Sequence, residues 1–403
     1  LVAVKQLFSS DEVEFLKEVT ILKALGSKNH AHLITLLGTY KHNQKYHLMF
    51  PYANANLRKY WDDHPKPAFD KETVLWALKQ MTGMANGLLL MHTFTVTYRL
   101  SVPGAGNVRL PKDVKLSVLD GEEWYGRHGD IKPENVLWFS EGQGIDHPKG
   151  VLQIADFGLG RFHGRDSRSG VNPDTVLSSP TYEPPECKLR RPVSRAYDIW
   201  SLGCLYLEFI TWLLRGSAEI DGFSEFRGRE ATATGINDDN FYTIIPSVEG
   251  PTATVREQVI TWKNELQAHE KCSQLIHDLL NLIMRDLLVI ESKDRGSASW
   301  VFLQLNLHLK KAEQTPEYML KPVPRQISAV SSVSNSTGLQ VRSSNGTRGS
   351  ATSSDKDKPT SIKPLAKAKA QANLPRDLVL RQVGTPNFVA KRRTQSSITW
   401  PPG

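Results

Sequence analysis

Asp130, Lys132 and Asn135 fall close together in HGDIKPEN (128–135), a stretch with no helical or strand periodicity. Such a stretch reads as a loop that presents polar groups to a ligand. A further carboxylate, Asp156 in IADFGLG (154–160), follows a short apolar run and precedes Phe157 and Gly158, which holds it at a strand end. This set suits one kind of chemistry. Phosphoryl transfer needs a cation on the nucleotide phosphates, hard oxygens for magnesium, and a carboxylate at the acceptor hydroxyl. Magnesium usually takes only one or two carboxylates beside phosphate and water. Asp156 offers it a charged oxygen and Asn135 a neutral one, while Asp130 is left to accept a proton.

The elements that must position these groups fall into an α+β order. LVAVKQL (1–7) alternates like a strand, and DEVEFLKEVTILKAL (11–25) follows as an amphipathic helix with Val13, Leu16, Ile21 and Leu25 among its apolar positions. LITLLGTY (33–40) and KYHLMFPY (45–52), joined by the polar HNQ, read as a hairpin. The chain then turns mainly helical, with helices expected over 72–93, 198–214 and 272–289. Residues 94–124 carry Pro103, Gly104, Gly106 and Pro111 and read as an inserted loop; 215–255 reads as a second irregular stretch. From about 323 to 403 the composition shifts to Ser, Thr, Lys, Ala and Pro. Such a segment buries too little apolar surface to offset its chain entropy, so a disordered tail is expected. One apolar patch in it, NLPRDLVLRQV (373–383), is suited to folding on a partner.

Composition narrows the function classes. The net charge of +8 over 403 residues is unevenly spread: residues 321–403 hold 14 Lys+Arg against 3 Asp+Glu, a net of +11, which leaves −3 for residues 1–320. The basic tail has lysines without interleaved aromatics, which argues against nucleic acid as the partner. Cys187, Cys204 and Cys272 form neither a CxxC pair nor a zinc spacing, so the reading is a reducing, intracellular setting, cytoplasmic or nuclear. No secretory signal opens the chain, and the most apolar run, 198–214, is interrupted by Glu208 and too short to span a bilayer.

With VAVK at the start, HGDIKPEN, DFG, SSPTYEPPE and DIWSLG in this order, the sequence resembles the eukaryotic protein kinase family over roughly residues 1–310. The resemblance implies a two-lobed fold: a small lobe of sheet and one helix over 1–52, and a larger helical lobe over 53–310. It implies an ATP-dependent enzyme using Mg²⁺, with a protein as substrate. By the family's pattern Lys5 contacts the nucleotide's α- and β-phosphates and is held by Glu18. Asp130 positions and deprotonates the acceptor hydroxyl, Lys132 neutralises the transferred group, and Asn135 and Asp156 ligate magnesium. The adenine lies between Ala3 and Leu137, with Met49 as gatekeeper and Phe50-Pro51-Tyr52 as hinge. Lysine in DIKPEN is similar to the serine/threonine branch, and Ser179 takes the position of a threonine that contacts the catalytic aspartate. Glu186 pairs with Arg295, and Asp198 anchors the catalytic-loop backbone.

Two departures from that pattern alter the expectation. A glycine-rich phosphate loop would precede Leu1, so the chain reads as truncated before it, with half an ATP roof. Gly129 replaces the arginine that usually receives an activation-loop phosphate, so HGD stands for HRD. The main reading is a serine/threonine protein kinase that does not depend on phosphorylation in 159–178. The alternative is a catalytically impaired scaffold with the basic tail as a docking arm.

Overall fold

Alternation along β1 (Val2–Gln6) puts Val2 and Val4 on an exposed face and buries Lys5 on the other. In the computed structural model the described residues are 1–7, 12–93, 95–96, 124–140, 149–156, 180–229, 238–325 and 392–393. They fall in one compact unit, Leu1–Ile327 with Ala390–Gly403. β1 pairs antiparallel with β3 (Lys45–Pro51), which pairs with β2 (Gly38–His42). The β2–β3 turn is made by Asn43 and Gln44, both at positive φ (47° and 65°), the handedness that matches strand twist in a two-residue hairpin. The expected first hairpin strand therefore starts at Gly38 rather than at residue 33. Leu33 instead forms a parallel bridge with Ile154 elsewhere in the molecule.

α1 (Glu12–Gly26) buries Val19, Leu22 and Leu25, and stacks the Phe15 ring on Tyr46 of β3 at 4.0 Å between centroids. Ile21 is buried as expected, but Leu16 is exposed. A step of about 100° per residue carries it off the stripe that Phe15 begins. Val13's side chain lies outside the described residues.

The larger part begins with β4 (Ala55–Asn56) and α2 (Leu57–Asp63), whose first turn is capped by Asn56 accepting from the Lys59 N–H at 2.8 Å. α3 (Lys71–Thr93) runs the length expected. β5 (Thr95–Val96) and β6 (Trp124–Tyr125) then pair across the base of the expected insert; residues 97–123 lie outside the described set. A tight turn at Pro133–Asn135 leads into β7 (Val136–Phe139), which pairs with β4 on one side and with β8 (Val151–Ile154) on the other.

After α4 (Pro185–Lys188) comes α5 (Ala196–Arg215), buried at every position from Tyr197 to Leu214. That is why its sequence is apolar all round. Among the described residues no helix is long and apolar enough to cross a membrane. The stretch expected to be irregular instead holds α6 (Ala218–Gly228) and a hairpin of β9 (Tyr242–Ile245) with β10 (Thr252–Val255). In α6 only Ile220, Phe223 and Arg227 are buried, so two apolar residues carry the helical period and two glycines obscure it.

α7 (Glu257–Ala268) and α8 (Gln274–Leu282) follow, and a wide helical turn at Ile283–Leu287 ends the expected third helix. α9 (Ala298–Gln314) packs along α3, and α10 (Pro316–Leu320) closes the body. The packed region thus passes residue 310. Val323 N–H still bonds Cys272 O at 2.6 Å, and Arg325 N–H bonds Gln267 O at 2.9 Å. Of the expected tail beyond them, only β11 (Arg392–Arg393), parallel to β2, is described. The patch at 373–383 lies outside the described residues.

One ion pair fastens the start of α4 to the loop before α9. Arg295 Nη1 and Nη2 reach Glu186 Oε1 and Oε2 at 2.8 and 2.7 Å, with both side chains essentially dry. Arg295 also donates to the carbonyls of Val289, Ile290 and Ala196. Removing one partner of such a pair strands the other charge in the core, so Arg295→Ala should cost about 3–5 kcal/mol. Chemical denaturation measures this. The double change Glu186→Gln with Arg295→Met should cost clearly less than Arg295→Ala alone.

Candidate active site

Ala3 and Lys5 face a cleft whose opposite wall is Leu137 of β7 and Ala155–Asp156 at the end of β8; the cleft encloses about 430 Å³ open to solvent. Lys5 Nζ donates to Glu18 Oε1 at 3.0 Å and to Asp156 Oδ1 at 2.7 Å. Glu18 reaches it because it lies on the same face of α1 as Phe15 and Leu22, which anchor that face to the sheet and the cleft. Burial alone would lower the lysine's pKa. The carboxylates of Glu18 and Asp156 outweigh that and hold it above the ordinary value, so Lys5 is a fixed cation.

The far end of the cleft departs from the sequence expectation by one residue. The β1–β3 register sets Ala3 opposite Phe50 and Lys5 opposite Leu48, whereas Val4 faces Met49. Alternation therefore puts Phe50 on the cleft side and Met49 on the outer face, above Gly38. Phe50 and Pro51 line the cleft; Met49 and Tyr52 are not among its lining residues. Pro51 has no N–H, so its main chain can offer a ligand only the carbonyl.

Asp130 sits in the loop ahead of β7. Its Oδ2 receives Lys132 Nζ at 2.9 Å and Asn135 Nδ2 at 2.8 Å, and the same Asn135 amide also donates to Asp130 O. With Nδ2 so committed, Oδ1 is the atom that Asn135 can offer a cation. The Asn135 carbonyl accepts the Ala155 N–H at 2.9 Å, so the strand ladder sets Asn135 beside Asp156. A carboxylate and an amide oxygen fit magnesium's preference for few protein ligands. No cluster of three or more His, Cys, Asp or Glu suited to a metal occurs among the described residues. Asp156 has φ = 63°, a left-handed conformation that Asp tolerates better than most residues.

The loop is fastened from below. Asp198, fully buried on α5, accepts the N–H groups of His128 and Gly129 and the His92 imidazole, each at 2.8 Å. Burial would raise its pKa; the His92 hydrogen bond and charge, with His128 and the Gly129 N–H, outweigh it and hold the carboxyl below its usual range. His128 Nδ1 accepts the Asp130 N–H at 3.2 Å, so its proton is on Nε2, which donates to Ala155 O at 2.9 Å. Gly129 itself has φ = 82°. Two successive N–H groups converge on one carboxylate when the second residue takes this left-handed form, which suits glycine above other residues.

Residues 127–292 match the family model for the protein kinase domain. The match is consistent with an ATP-binding transferase, and implies a two-lobed fold and a protein substrate. It covers Asp130, Lys132, Asn135, Leu137, Asp156, Ser179, Glu186 and Asp198. Ala3, Lys5, Glu18, Met49, Tyr52 and Arg295 lie outside the matched range. Lys5 and Glu18 are joined to it through the contact with Asp156. Ser179, Phe157, Gly158 and the segment 159–178 lie outside the described residues.

Sequence reasoning passed over His92 and Glu208. The signal for His92 was a polar residue closing the apolar run LLLM in α3. In the sequence Glu208 only interrupts an apolar helix. It accepts from Tyr182 at 2.8 Å, and burial pushes its carboxyl up to about 7.

The Gly129→Ala change keeps every polar partner but forces a left-handed alanine, so it should cost about 1–2 kcal/mol. Thermal unfolding of the two proteins measures it. Because Asp198 is held low in the folded state, its contribution is present above the unfolded carboxylate pKa of about 3.9 and is lost as pH falls below it. Asp198→Asn should lower stability at pH 7 and flatten the acid limb of the stability profile; an unchanged acid limb would contradict that role.

Proposed function

We propose that the chain is an ATP-dependent serine/threonine protein kinase, transferring the γ-phosphoryl of Mg-ATP to a protein hydroxyl. The observation that carries the reading is Lys5 Nζ, held between Glu18 and Asp156 on the wall of an apolar cleft. A cation fixed there suits nucleotide phosphates, and Ala3 and Leu137 offer apolar surface to a flat base. Magnesium supplies charge neutralisation on the phosphates, and Asp156 and Asn135 are the residues suited to hold it.

The chain's own groups divide the remaining work. Asp130 accepts the proton of the attacking hydroxyl, and its contacts with Lys132 and Asn135 keep the carboxylate in one orientation. Lys132 is placed to shift toward the transferred group as charge builds up there. Lysine at this position favours serine and threonine as acceptors, with Ser179 as the residue proposed to steady Asp130. Gly129 provides no cation for an activation-loop phosphate, so turnover is proposed not to depend on one.

Asp130→Asn keeps the shape of the loop but removes the base. It should lower phosphorylation of a generic protein substrate by about 10²-fold or more, with an unchanged melting temperature. Undiminished turnover would show that the base is another group. Addition of Mg-ATP should raise the melting temperature of the full chain, as expected for a ligand that binds only the folded state. Lys5→Met should abolish that rise. Absence of the rise with the unaltered chain would favour the scaffold reading. Treatment with a phosphatase should leave turnover unchanged.

A further inference from the structure

Lys5 joins α1 to β8 through side chains, and a second connection between the same two elements runs through the main chain. After α1 the chain passes through His30, Ala31, His32, Leu33 and Ile34 along the free edge of β8. Ile154 N–H donates to His32 O at 2.9 Å, Ile34 N–H to Ile154 O at 3.0 Å, and Gln153 Nε2 to Ala31 O at 3.1 Å. The His32 imidazole adds a buried contact, Nδ1 to Leu152 O at 2.8 Å. A carbonyl can only accept, so Nδ1 carries the proton. The His32 N–H donates to His30 Nδ1 at 3.1 Å, which fixes the approach to the strand.

α3 is shaped to receive this segment. Gly83 and Gly87 lie one turn apart in mid-helix, where each costs about 1 kcal/mol relative to alanine. A Cβ on Gly83 would clash with the His32 ring, 1.9 Å from its Nε2, and one on Gly87 would lie 3.0 Å from Leu33 Cδ2. Gly83 leaves a notch that the His32 ring fills, and Gly87 makes room for the Leu33 side chain.

We infer that His32, seated in the Gly83 notch and bonded to Leu152 O, is a positioning residue: it sets the distance between the helix that carries Glu18 and the strand that carries Asp156. Both carboxylates must reach one ammonium, and a shift of either element separates them from Lys5. The inference rests on the proposed kinase reading for its kinetic consequence only; the mechanical link from His32 to β8 stands apart from it.

Three variants of the full chain test it. His32→Leu fills the space without a donor. His32→Asn places an amide N–H close to where Nδ1 was. Gly83→Ala closes the notch. Hydrogen exchange without nucleotide should rise about tenfold or more at 151–156 and at 12–26 together in His32→Leu and Gly83→Ala, and return toward the starting value in His32→Asn. kcat should fall about tenfold or more in the first two, with KM for Mg-ATP changed far less, and recover in His32→Asn. Equal behaviour of His32→Leu and His32→Asn, or unchanged exchange in both segments, would overturn the inference. Should His32→Leu not fold, His32→Gln takes its place, because its amide sits nearer the former Nε2 than Nδ1. If the unaltered chain neither binds Mg-ATP nor turns over, the kinase reading fails, and the exchange comparison still decides the role of His32.

Discussion

A single carboxylate sealed from water, that of Asp198, determines where the polar loop points. Burying such a charge costs several kcal/mol unless it is fully hydrogen-bonded. Here the compensation comes from His92 on α3 and from two neighbouring backbone N–H groups, those of His128 and Gly129. Turning both N–H groups toward one anion leaves the chain a single direction of exit, and Asp130 is the next residue along. The position of Asp130 therefore follows from the electrostatics of a residue that takes no part in the chemistry. It also explains the glycine, whose φ of 82° is the conformation that a nest of consecutive N–H groups requires.

From this anchor the order spreads along the main chain. His128 reaches Ala155 O through Nε2, Asn135 O accepts the Ala155 N–H, and Asp156 follows directly. Lys5 then draws Asp156 and Glu18 to one ammonium, which ties the small sheet and its helix to the helical body. The two ends of this sequence of contacts are both buried charges, one negative and one positive. Each is held in its charged form by partners that burial alone would not have supplied.

Much of this was legible in the sequence, because the candidate site residues sit in short runs with few alternatives. The strand with Lys5, the helix with Glu18 and three of the helices after residue 70 could be read from period and motif. The misreadings have physical causes. Met49 and Phe50 are adjacent apolar residues, and only the pairing register tells which one faces the cleft; a one-residue slip reverses the side. Leu33 reads as a strand residue, yet its partner is Ile154, and no local signal announces a bridge to a segment so far along the chain. α6 was hidden because a buried arginine, Arg227, completes its inner face: its guanidinium lies 4.1 Å from the rings of both Phe223 and Phe241. In the sequence Gly129 shows only the loss of a side chain, whereas the backbone uses it for its torsion angle.

Several departures from local rules occur at the polar loop, the cleft and the helix behind them. Asp156 and Gly129 are left-handed, Lys5 and Asp198 are buried charges, and Gly83 interrupts good helix-forming sequence. Each would destabilise an ordinary fold by an amount comparable to a lost hydrogen bond or more. One contact joins the part of the chain matched by the kinase family model to the part before it. Asp156 lies inside the matched range and Lys5 outside it, and the two are 2.7 Å apart. The strand and helix that precede the range supply Lys5 and Glu18 to the cleft that Asp156 borders.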